Sequence, residues 1–63
     1  MSTIERTVLM MDILQNETLT IRQLAYRMGI SERMVYNYIN ILTRKGKIIE
    51  ENGKYRLKGN YLR

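Results

Sequence analysis

A chain of 63 residues has room for one small domain, 1–63, with a core worth about 3–5 kcal/mol of net stability. It contains no Cys, no His and no Pro; the usual zinc frameworks, thiol nucleophiles and imidazole bases are therefore missing, and no catalytic pair, metal site or cofactor is expected. Eleven Lys and Arg against six Asp and Glu leave a net charge of +5, which suits a polyanionic partner, a nucleic acid or an acidic membrane surface, or simply keeps a small domain soluble.

The first helix is expected over about 3–15. Ser2 and Glu5 have the spacing of a capping box, and Asn16-Glu17-Thr18 interrupts the apolar pattern. Thr20 with Gln23 repeats that spacing and opens a second helix over 21–28, which Gly29 stops by tolerating a left-handed conformation. Ser31 caps a third helix over about 32–45, closed by Gly46. Residues 47–58 form a hairpin around Asn52-Gly53, the preferred pair for a two-residue type I′ turn. A short tail, 59–63, remains. The fold class is mainly α with a small β-hairpin.

Ala25 and Gly29 supply the small residue and the bend that two steeply crossing helices need, and Val35 returns an apolar side chain to the same core. In the third helix Val35, Ile39 and Leu42 make one stripe at about 100° per residue. Opposite them stand Arg33, Asn37, Asn40 and Arg44, with no acid among them. Arg pairs in bidentate fashion with guanine and Asn with adenine on the major-groove edge; an ordinary solvated face is the alternative. Met34 and Tyr36 flank this stripe, suited either to a thymine methyl and a phosphate or to core packing. Tyr38 falls near the core stripe. Ser31, Arg22 and Arg27 sit where phosphate contacts are plausible.

With a two-residue loop, Glu51 pairs Lys54, Glu50 pairs Tyr55, Ile49 pairs Arg56 and Ile48 pairs Leu57. Ile48, Tyr55 and Leu57 then face the helices, while Lys54, Arg56 and Lys58 point outward, with Lys47 across from Lys58. Those cations suit phosphates, or serve to block pairing at a sheet edge. Glu50 and Glu51 point to opposite faces, which rules them out as a catalytic pair.

The run Thr20 to Leu42, TIRQLAYRMGISERMVYNYINIL, resembles the helix-turn-helix of DeoR-type and biotin-repressor-type regulators. The continuation Lys45-Gly46-Lys47-Ile48-Ile49 with its Asn-Gly hairpin is similar to their wing. The resemblance spans roughly Val8 to Lys58. It implies a three-helix winged helix-turn-helix and double-stranded DNA bound through the third helix, as in a small transcriptional regulator. A protein-interaction module and an RNA-binding domain are the competing readings, since fold alone does not fix function.

The first helix is apolar almost all round. Ile4, Val8, Met11 and Leu14 are expected to cover the other helices, leaving Leu9, Met10 and Ile13 to join two copies into a homodimer. The alternative cover is Tyr61 and Leu62 folding back from the tail. No apolar run approaches the ~18 residues of a membrane span, and no basic segment leads into an apolar one at the N-terminus. No membrane, no small-molecule ligand and a cytoplasmic location are expected.

Overall fold

The computed structural model describes residues 2–58. Its elements run α1 (Thr3–Asn16), β1 (Leu19–Thr20), α2 (Ile21–Met28), α3 (Glu32–Arg44), β2 (Ile48–Glu51) and β3 (Lys54–Leu57). The expected boundaries hold to within one residue for the helices, and the strands occupy the interior of the expected hairpin. Residues 59–63, with Tyr61 and Leu62, lie outside the described residues. Among the described residues no helix is long and apolar enough to cross a membrane.

Each helix begins on a side chain that answers an otherwise orphan N–H. Ser2 Oγ accepts from the Glu5 amide at 3.1 Å and Glu5 Oε1 accepts from the Ser2 amide at 2.8 Å. Thr20 and Gln23 form the same reciprocal pair at 3.1 and 2.9 Å. Ser31 Oγ accepts from the Met34 amide at 3.2 Å. A first-turn cap of this kind is worth about 0.5–2 kcal/mol.

The bend between α2 and α3 is made by Gly29 at φ +69°. Its N–H and that of Ile30 both donate to the Ala25 carbonyl, at 2.9 and 3.1 Å. A Cβ at Gly29 would meet nothing within 4 Å, so glycine is required here by conformation and not by crowding. At the end of α3, the Gly46 N–H donates to Thr43 O at 3.0 Å and the Lys47 N–H to Leu42 O at 2.9 Å. This is the Schellman pairing, which satisfies the last carbonyls and sends the chain directly into β2.

The hairpin has the expected register: Ile48 opposite Leu57, Ile49 opposite Arg56, Glu50 opposite Tyr55 and Glu51 opposite Lys54. Asn52 at φ +54° and Gly53 at φ +79° give the two positive angles of a type I′ turn, whose twist matches that of the strands. The sheet, however, has three strands in the order β1-β3-β2. Leu19 and Thr20 pair antiparallel with Tyr55 and Lys54, so the segment expected only to cap α2 also anchors the hairpin to the helices.

The core is Met10, Leu14, Leu19, Leu24, Ala25, Val35, Tyr38, Ile39, Leu42, Ile48 and Leu57. Every helix and every strand contributes to it. Here the expected orientation of α1 is corrected. Met10, assigned to an outer face, is 0 % exposed, whereas Ile4 and Val8, assigned to the core, are 75 % and 53 % exposed. Leu9, Met11 and Ile13 are half-buried, and Met11 and Ile13 pack against the core. The cause is geometric. α1 packs on α2 and β3, which centres its inward face between Met10 and Leu14, and an apolar circumference gives no sharp preference for any other rotation.

Candidate nucleic-acid interface

The inward face of α3 is Val35, Tyr38, Ile39 and Leu42, all buried. Directly opposite, Arg33, Asn37, Asn40 and Arg44 are all exposed. Their side chains make no hydrogen bond or ion pair with the other described residues. Four side chains with about fourteen N–H donors between them therefore project from one helix face with their hydrogen-bonding capacity unspent. The residues flanking this stripe divide. Met34 is half-buried and packs against the core. Tyr36 stays 53 % exposed beside Tyr55 of β3. Tyr38 is buried with its hydroxyl accepting from Arg6 Nη1 at 3.4 Å.

Tyr55 and Tyr36 mark the seam between α3 and the hairpin. The Tyr55 phenol is pushed above the usual tyrosine range, first by burial and then by the negative charge that Tyr36 and Glu50 can place beside it. Glu50 itself folds over the turn, its Oε2 accepting from the Gly53 amide at 2.7 Å.

Three of the cations singled out from sequence hold acids that the sequence did not connect to them. Arg27 grips Glu17 with both guanidinium nitrogens, one of them at 3.0 Å. Arg22 Nε lies 3.7 Å from Glu32 Oε2. Arg56 Nε donates to Glu51 Oε1 at 3.2 Å across the hairpin. The outer face of the hairpin is accordingly mixed. Ile49 and Glu51 share it with Lys54, Arg56 and Lys58, which corrects the expectation of a basic face alone. Lys54 and Lys58 remain exposed without an ion pair to the other described residues. Ser31 is committed as the α3 cap, although its hydroxyl proton is still available to a phosphate oxygen.

The exposed stripe lies on α3, which follows the bend at Gly29 and packs against β2 of the hairpin. A family model described as an HTH domain matches residues 5–59 of the chain. No curated protein and no solved structure matches it.

Proposed function

We propose, for a chain that belongs to the helix-turn-helix domain family, that it recognises specific double-stranded DNA sequences and so acts as a small transcriptional regulator. The observation that carries this reading is the unspent stripe Arg33, Asn37, Asn40 and Arg44 on α3, set opposite the core. Arg33 and Arg44 take guanine O6 and N7, Asn37 and Asn40 take adenine N6 and N7, and Tyr36 reaches a neighbouring phosphate. Lys54 and Lys58 of the hairpin meet the backbone and position the helix without reading sequence. Arg22, Arg27 and Arg56 contribute less, since each is already held by a carboxylate.

The experiment is selection from a random duplex library, followed by binding to the selected and to a scrambled duplex over a salt series. Sequence-specific binding gives an enriched motif and a steep salt dependence. Equal binding to scrambled duplex refutes base readout, and preference for structured RNA moves the function to that polymer.

The reading includes a homodimer through α1, now centred on Ile4 and Val8, the large apolar side chains that α1 leaves open. Pairing two copies about a two-fold axis doubles a short footprint and implies a pseudo-palindromic site. Sedimentation equilibrium at micromolar concentration, alone and with the selected duplex, tests it. A dimer dissociated by Ile4→Glu/Val8→Glu is expected; a monomer throughout sinks it.

A further inference from the structure

Glu32 is the first residue of α3 and is immediately followed by Arg33 of the exposed stripe. Ser31 already caps the helix, so Glu32 is not needed to start it. Its carboxylate is 58 % exposed and its partner Arg22, in the first turn of α2, is 89 % exposed. At 3.7 Å the pair is longer than a hydrogen bond and open to water, so it adds little to folding and parts readily. A carboxylate at the leading end of a groove-reading helix opposes DNA binding in general, because it faces phosphates and desolvates without a partner. It gains a partner where a base edge offers a donor.

Resting on the DNA-reading function above, we infer that Glu32 is a specificity-determining residue. It accepts a hydrogen bond from the exocyclic amine of a cytosine beside the base pair read by Arg33, while Arg22 is its counterion in the free protein and passes to a phosphate on docking. Cytosine N4 is the donor that Glu and Asp recognise in the major groove. At guanine or thymine in that strand position the carboxylate meets an acceptor, and the mismatch is rejected by repulsion as well as by a lost contact; adenine offers its N6 amine but sets the N7 acceptor beside it, so it is the weaker partner. Arg22 makes the arrangement reversible. Where no base donor satisfies Glu32, its carboxylate offsets the Arg22 charge toward non-specific phosphates; where a cytosine does, Arg22 adds one phosphate contact to the specific complex only.

The test compares the full chain with Glu32→Gln, Glu32→Ala and Arg22→Gln, on the selected duplex, on all four bases at each site position and on scrambled duplex. The fold of each variant is checked by its thermal melt. Preference for cytosine at one position should fall roughly fivefold to a hundredfold in Glu32→Ala, while affinity for scrambled duplex rises. Arg22→Gln should lower the salt slope on the selected site by about 0.9 and leave the scrambled-site slope nearly unchanged. A scrambled-site gain with no change in base preference overturns the base-reading role, and so does an unchanged profile throughout. If the unaltered chain binds no duplex, the DNA reading itself fails; if it binds with selectivity and the Glu32 variants match it, only this inference fails.

Discussion

Lys54 and Lys58 of the hairpin offer the cleanest separation of positioning from readout. Both are exposed and neither is paired with an acid among the described residues, whereas Arg56 on the same face is held by Glu51 at 3.2 Å. Each phosphate neutralised by a free cation adds about 0.9 to the slope of log affinity against log salt, so Lys54→Gln/Lys58→Gln should flatten that slope by about 1.8. Between about 50 and 200 mM salt, a slope difference of that size makes the parent lose about twelvefold more affinity than the variant. Arg56→Gln should change the slope by less than either lysine, because its charge is already offset by Glu51 and it neutralises less of a phosphate. Fluorescence anisotropy with a labelled scrambled duplex, read at five salt concentrations, measures all three. A slope unmoved by the double lysine variant would mean that the hairpin points away from DNA. An Arg56→Gln effect as large as that of Lys54→Gln would mean that the Glu51 pair does not restrain Arg56.

Arg33→Ala and Asn37→Ala should each lose about 1–3 kcal/mol at the selected site and relax preference at one base position, with scrambled-site binding far less affected for Asn37 than for Arg33. Leu24→Ala, at a side chain 0 % exposed, should cost about 2–5 kcal/mol and leave so small a domain largely unfolded by circular dichroism. Tyr26→Ala, at a side chain 87 % exposed, should shift stability by no more than about 0.5 kcal/mol in the same assay. Because the folded-state pKa of Tyr55 is raised, its contribution to stability is complete below the ordinary tyrosine value of about 10 and is lost as pH climbs through the raised value. Melts recorded between about pH 9 and pH 11 should therefore fall less for Tyr55→Phe than for the parent, and parallel curves would refute the shift.

The elements that could be read from sequence are those specified by near neighbours. Ser2 with Glu5, Thr20 with Gln23, and Ser31 are local signals, and the caps they form appear where expected. The register of β2 and β3 follows from Asn52-Gly53 alone, since a two-residue loop permits one pairing. Two features depend on distant parts of the chain. β1 is two residues long with no alternation to announce it, and its partners lie more than thirty positions away. The rotation of α1 is decided by where α2 and β3 stand, and a helix apolar on nearly every side accepts whichever rotation they impose. Met10 therefore goes inward while Ile4 and Val8 remain outside.

The same distinction separates the parts of the interface. The stripe on α3 is a matter of helical period, so Arg33, Asn37, Asn40 and Arg44 could be recognised without knowing their surroundings. The ion pairs could not, because Glu17 meets Arg27 and Arg22 meets Glu32 only once α2 has its place beside α1 and α3. Those pairs give the net charge of +5 a direction. Residues 2–17 carry Arg6 against Glu5, Asp12 and Glu17. Arg22 and Arg27 on α2 are spoken for by carboxylates; among the described residues the cations without one are Arg6 on α1, which donates to the Tyr38 hydroxyl, and Arg33, Arg44, Lys45, Lys54 and Lys58, which belong to α3, its C-cap and the hairpin. The acids gathered in residues 2–17 and the cations of α3 and the hairpin make the charge uneven along the chain as well as positive in sum. On the DNA-reading function proposed above, a polyanion is drawn to the basic part of such a distribution and repelled by the acidic part, which would turn α3 toward DNA before any base is touched.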